Sequence, residues 1–262
     1  ISGDDIDEVF MGCVLPAGLG QAPARQAMRG AGIPDSTGAT TVNKVCGSGM
    51  KTITQAHDTI KAGSANIVVA GGMESMTNAP HLLASGRKGI KFGDGSLIDH
   101  MSFDGLQNAD DGKAMGQFAE LCAERYQFTR EAQDSYAIES TKRAQAAIES
   151  GAFDGEIVPV TISSRRGDIT VETDEHKIPH LRPAFKKDGT VTAANASSIS
   201  DGAAAVVMMR ASEAEKRGLT PLATITAQAT HSQAPEWFTT APIDAMKNVV
   251  GNAGWDMADV DL

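Results

Sequence analysis

Between Thr40 and Ala70 the chain reads as strand, helix, strand, and this unit constrains the fold more than any other stretch. Thr40, Thr41, Val42 and Val45 form a β-branched, extended run. From Ser48 to Ala62 the apolar residues Met50, Ile53, Ala56 and Ile60 recur at helical spacing, and Gly63 supplies the stop. Ile67 to Ala70 is a short continuous apolar run, the pattern of a strand buried on both faces. A crossover of this order predicts a parallel sheet and places the chain in the α/β class. Around it we expect a strand over Glu8 to Leu15, a glycine turn at Gly18 and Gly20, and a helix from Pro23 through Arg29. Residues 77–110 break into glycines, charges and polar groups, a long excursion from the sheet of the kind that is usually functional. Helices follow from Met115 to Tyr126 and, behind a Thr129 cap, to Glu149. Further strands are expected over 156–162, 203–209 and 222–227, and a helix over 244–253. The polar stretch 165–180 reads as exposed and mobile.

With 262 residues the chain can bury a substantial core. A net charge of −10 argues against nucleic acid as a partner, because phosphates call for a basic surface. No apolar run is long enough for a membrane span. The 3 cysteines form no C-x-x-C pair, which fits a reducing compartment, the cytoplasm or an organellar matrix. The chain starts at Ile1 with no methionine and no basic leader, so we expect it to be an internal portion of a longer protein.

Cys46 lies between the β-branched run and the helix, at a helix N-terminus, where the dipole favours a thiolate. A thiolate is the form of cysteine that attacks carbonyl carbon. Gly47 and Gly49 remove side chains beside it, so a substrate can approach the backbone. By position alone a single cysteine reads first as a small buried hydrophobe.

The flanking residues bear on that choice. Asn43-Lys44-Val45-Cys46-Gly47-Ser48-Gly49-Met50-Lys51 resembles the nucleophile segment of the thiolases, the acetyl-CoA acetyltransferase family. Ile67 to Met76 and Asn195 to Ala205 resemble two further stretches of that family, in family order. The resemblance implies a layered α/β fold in which residues 1–75 and 200–219 form a first half. Residues 76–199 would be an inserted loop domain over the coenzyme A site, and 220–262 the start of a second half. It implies an acyltransferase that moves an acetyl group reversibly between coenzyme A and Cys46, with coenzyme A as substrate and no resident cofactor or metal. A homodimer or homotetramer is expected by the same analogy. The alternatives are a related decarboxylating condensing enzyme, or a catalytically inert portion of a thiolase.

Carried over motif by motif, Leu106, Met115, Phe185, Ala193, Ala196 and Ser197 would line the acyl-CoA pocket. Ser197 would meet the pantetheine arm, and Trp237-Phe238 would border the acyl pocket and favour a short chain. Met115 is equally a helix-core residue, and Ser197 a turn residue. Ala114 stands where some relatives have a histidine. The family's catalytic histidine, asparagine and second cysteine motifs are not found. The 6 histidines all lie in other contexts. Cys13, in an expected strand, and Cys122, in an expected helix, read as buried thiols.

Overall fold

The computed structural model describes residues 1–160 and 175–261. The chain divides into two compact units, Ile1–Lys113 with Ile199–Gln233 and Thr240–Leu262, and Ala114–Ser198 with Ala234–Thr239.

The first unit carries the strands β1 (Glu8–Gly12), β2 (Gly38–Val42), β3 (Ile67–Ser75), β4 (His81–Leu82), β5 (Ile98–Asp99) and β6 (Asp201–Met209). Its main sheet has the order β2-β1-β3-β6. β1 is parallel to both β2 and β3, and β6 runs antiparallel to β3. The helices α1 (Pro23–Gly30) and α2 (Ser48–Ala62) cover opposite faces. Side chains alternate across a strand, so Val9 and Met11 of β1 meet Ala24 and Met28 of α1, while Phe10 meets Ala56 and Ile60 of α2. β3 divides in the same way, with Ile67 on the α1 side and Val68 and Ala70 on the α2 side. Burial on both faces is why these strands are apolar without interruption.

Glycine is required at positions that set the approach of these elements. A Cβ on Gly12 would stand 2.7 Å from the carbonyl carbon of Ser48 and 2.8 Å from Gly49 N, so β1 ends directly under the first turn of α2. A Cβ on Gly71 would stand 2.1 Å from Ala204 O, inside the β3–β6 ladder. Gly63, at φ +80°, closes α2 with its N–H on Ile60 O. The buried Thr52 hydroxyl lies 2.7 Å from Gly49 O and 2.8 Å from Gly71 O, joining α2 to β3.

The second unit contains α3 (Met115–Tyr126) and α4 (Arg130–Glu149). Thr129 caps α4, its hydroxyl accepting from Ala132 N at 3.2 Å. The carboxylate of the buried Glu120 accepts from the backbone N–H groups of Thr190 and Val191. Arg130 pairs with Asp134 and donates to the carbonyls of Ile178 and Leu181. These charged groups fasten residues 178–192 to the two helices, where backbone donors and acceptors have no ladder to join.

Several boundaries differ from expectation for local reasons. β1 stops at Gly12 because Val14 and Leu15 give their N–H groups to the Glu74 carboxylate instead of a neighbouring strand. β2 stops at Val42 because Val45 turns left-handed, at φ 47°. Pairing with β6 carries β3 on to Ser75. The excursion 77–110 contains the β4–β5 ribbon and a π-helix, Met101–Leu106. Residues 156–160 form no strand, and Val158 and Val160 stand exposed without a pairing edge. Residues 222–227 are irregular as well, with Leu222 fully exposed. Among the described residues the last α-helix, α6 (Ala241–Ala253), comes after α5 (Ala211–Lys216) and begins at Ala241, ahead of the expected Asp244, because Pro242 suits a first helical turn. The expected strand residues 161–162 and most of the stretch 165–180 lie outside the described residues.

Substituting Gly71 by alanine should cost about 1–3 kcal/mol through overpacking against Ala204, read as a fall in the urea midpoint. The Asp201 carboxylate accepts from Thr77 N at 2.9 Å and Ser75 Oγ at 3.2 Å, which lowers its pKa from 3.8. A carboxyl depressed by folding stabilises above its unfolded pKa and loses that contribution as pH falls through its folded value. The urea midpoint should therefore drop less steeply below pH 4 in Asp201→Asn than in the parent chain.

Candidate active site

Cys46 is brought to a cleft by the junction between β2 and α2. The chain leaves β2 at Val42 and turns through Asn43 to Gly47. Val45 is β-branched and sits at φ 47°, an arrangement that costs about 1–3 kcal/mol. Neighbours hold it there. Asn43 Oδ1 accepts from Val45 N at 2.9 Å, and the Ser48 hydroxyl donates to Val45 O at 2.6 Å. Lys44 N in turn donates to Ser48 Oγ at 2.8 Å. Lys44 Nζ is tied to Thr230 Oγ1 at 2.8 Å. Turn hydrogen bonds engage the Gly47 and Ser48 N–H groups, on Lys44 O and Val45 O. The sulfur precedes the Gly47 N-cap of α2 and is exposed.

The open cleft at Cys46 has a volume of about 410 Å³. Its floor is Gly12, Gly49 and Gly72, where strand ends and helix meet without side chains. Val14, Val45, Met73, Glu74 and the start of β6 also line it. A sulfur at such a mouth can reach the carbonyl carbon of an incoming thioester, and the side-chain-free floor leaves room for a narrow chain.

Glu74 was not among the residues singled out from sequence. Its carboxylate takes the N–H groups of Val14 at 2.8 Å and Leu15 at 3.0 Å. The Cys13 thiol lies 3.6 Å from the same carboxylate. Burial and the neighbouring charge push the Cys13 pKa up to about 11, so this thiol stays protonated and inert. The position of Glu74 at the carboxyl end of a parallel strand is the signal that could have found it, since sites in open α/β sheets gather there.

Leu106 closes the π-helix of the first unit and is half-buried. Met115, Phe185, Ala193, Ala196 and Ser197 belong to the second unit. There Met115 opens α3 and is half-buried, while Ala193 and Ser197 are exposed and Ala196 half-buried. The Phe185 ring lies on Gly116, where a Cβ would meet it at 2.3 Å. Phe238 meets the buried Phe118 edge to face, with centroids 6.2 Å apart. Asn195 Oδ1 accepts from Thr192 N, shaping the turn before Ala196. Among the described residues, no group of three or more His, Cys, Asp or Glu side chains is placed to hold a metal ion.

The comparisons with known proteins bear on this geometry. The family model described as the thiolase N-terminal domain matches residues 1–212. The chain belongs to the thiolase family. Its fold is also that of a thiolase. The Acat5 thiolase of Ascaris suum, solved in complex with coenzyme A, superimposes with a TM-score of 0.91 at 40% identity, over 100% of this chain and 69% of that one. Acetyl-CoA acetyltransferase 2 of Arabidopsis thaliana is 52% identical over 266 residues, covering 98% of this chain and 66% of that protein. The acetyl-CoA acetyltransferase of Cupriavidus necator is 48% identical over 271 residues, covering 100% and 69%. The chain thus spans about two thirds of the length of these thiolases.

Brief iodoacetamide treatment at neutral pH should alkylate Cys46 and spare Cys13, as read by peptide mass spectrometry. Labelling of both at equal rates would contradict the burial and raised pKa found for Cys13.

Proposed function

We propose that this chain carries the acyl-accepting half of a thiolase reaction, the reversible transfer of an acetyl group between coenzyme A and Cys46. The observation that carries the reading is the exposed Cys46 sulfur at the mouth of a glycine-floored cleft. The Cys46 thiolate attacks the thioester carbonyl, the bond from that carbon to the coenzyme A sulfur breaks, and coenzyme A leaves as its thiolate. The acetyl group is then held on Sγ as a new thioester, about as reactive as the one it replaces. Coenzyme A is a substrate here and not a resident cofactor. Leu106, Met115, Phe185, Ala193, Ala196 and Ser197 are proposed to contact it as their family counterparts do, and Trp237 with Phe238 to favour a short acyl group. The names of the relatives support this substrate class, since they are acetyl-CoA acetyltransferases.

Cleavage or condensation of 3-ketoacyl thioesters also needs a base beside a carbonyl and donors for an enolate oxygen. Among the described residues lining the cleft, the titratable side chains are Cys46 and Glu74, and Glu74 already accepts from Val14 and Leu15. The 262-residue chain is therefore proposed to accept an acetyl group without turning over acetoacetyl-CoA. In a cell we place it in a reducing compartment, the cytoplasm or an organellar matrix, and in a homo-oligomer. The edge position of β2, next to the nucleophile turn, supports that assembly.

Incubation with acetyl-CoA should add one acetyl group to the peptide that contains Cys46, and Cys46→Ala should abolish the adduct. Steady thiolysis of acetoacetyl-CoA by this chain would overturn the half-reaction reading. A folded chain whose Cys46 stays unmodified would overturn the acyl-carrier reading itself.

A further inference from the structure

The His100 imidazole has no part in the chemistry above, yet it is buried and bonded on both nitrogens. His100 immediately precedes the π-helix Met101–Leu106. Its Nδ1 lies 2.5 Å from Asp104 Oδ2, and its Nε2 lies 3.4 Å from Ala17 N. A backbone N–H can only donate, so Nε2 must be the unprotonated acceptor, and Nδ1–H donates to Asp104. Asp104 thereby sets the tautomer that Ala17 needs. The His100 backbone N–H is anchored as well, on Pro80 O at 3.1 Å.

Ala17 ends the segment whose start forms the cleft rim. Glu74 holds Val14 and Leu15 by their N–H groups, and His100 holds Ala17, so residues 14–17 are gripped at both ends by side chains from elsewhere. The side chain of the buried Leu15 packs on the π-helix, with its Cδ2 3.3 Å from where a Cβ on Gly105 would stand. The next residue of that helix is Leu106. A single imidazole therefore joins the rim beside Cys46 to the short helix that presents Leu106. The π-helix, a rare geometry frequently found at functional sites, is the element to which this rim is fastened.

We propose that His100, oriented by Asp104, is a positioning residue that locks the rim 14–17 onto the helix 101–106 and so sets the width of the cleft that leads to Cys46. The proposal rests on the reading of Cys46 as the acyl carrier. Its cost when lost follows from the sensitivity of group transfer to small misplacements of the reactants.

The test compares two substitutions in the full 262-residue chain. His100→Asn keeps a donor toward Asp104 but has no atom that reaches Ala17. His100→Gln extends an amide oxygen to the Nε2 position and restores the acceptor. Single-turnover acetylation of Cys46 should be slowed about tenfold in His100→Asn at saturating acetyl-CoA, and the Gln variant should recover to within about twofold of the parent. Hydrogen exchange at the Ala17 amide should accelerate in the Asn variant and stay slow in the Gln variant. If both variants acetylate at the parent rate, or if rates follow only the urea midpoint with no rescue by Gln, the proposal is overturned. If the parent chain itself takes no acetyl group, the acyl-carrier reading fails. Ala17 exchange and the rate of Cys46 alkylation by iodoacetamide then decide the positioning role, and parent-like values of both in His100→Asn would overturn it.

Discussion

The contact between bare backbones at the end of β1 and the start of α2 is the constraint on which the rest of the site depends. Gly12 sits under Ser48 and Gly49, and Gly72 lies beside Gly49. Without side chains between them, the helix can begin directly on the carboxyl ends of two parallel strands. Thr52 then ties the second turn of the helix to Gly49 O and Gly71 O. The first turn of α2, and with it the residue just before, has one place to be. A larger residue at Gly12 would lift the helix start and carry Cys46 with it.

Strain is concentrated in the same place. Val45 occupies a backbone region that a β-branched residue avoids, and it does so one residue before Cys46. Asn43 Oδ1 accepts from Val45 N and the Ser48 hydroxyl donates to Val45 O, while Ser48 Oγ is also the acceptor for Lys44 N. These local bonds offset the cost of the turn. What the strained turn achieves is a break between strand and helix sharp enough to leave the sulfur exposed, while Cys13, on the straight continuation of β1, is buried.

The elements with strong periodicity were legible from residues alone. The helix from Ser48 to Ala62 has the limits its spacing and Gly63 indicated, and the helix from Met115 to Tyr126 has the expected range. Strand ends were not legible, because they are set by side chains distant in sequence. Glu74 takes two N–H groups that would otherwise extend β1, and β6 lengthens β3 by pairing across more than a hundred residues. The β-branched runs at 156–160 and 222–227 look like strands but have no edge to join, and composition carries no information about edges. At the site, Cys46 could be found from its position between strand and helix. The family resemblance, not the spacing, argued for its reactivity over burial. The His100 grip was invisible, since Asp104 at i+4 by itself marks only a local pair and Ala17 lies 83 residues away.

Charge bears on how such a cleft can recognise its substrate. The chain carries a net −10, and the cleft itself holds the carboxylate of Glu74. An anion entering there would meet a like charge at short range. That carboxylate is, however, bound by two backbone N–H groups and lies against a protonated thiol, so much of its field is spent on the rim. For the chemistry proposed, the group that must reach Cys46 is the uncharged thioester, with the phosphates of coenzyme A at the far end of a long arm. A glycine-floored cleft whose one carboxylate is already bound by backbone N–H groups admits that end of the molecule and, among its described lining residues, offers no cation to grip the other. On that proposal, affinity for the phosphates comes from residues outside this cleft, and the task at Cys46 is placement of a carbonyl carbon against a firmly held rim.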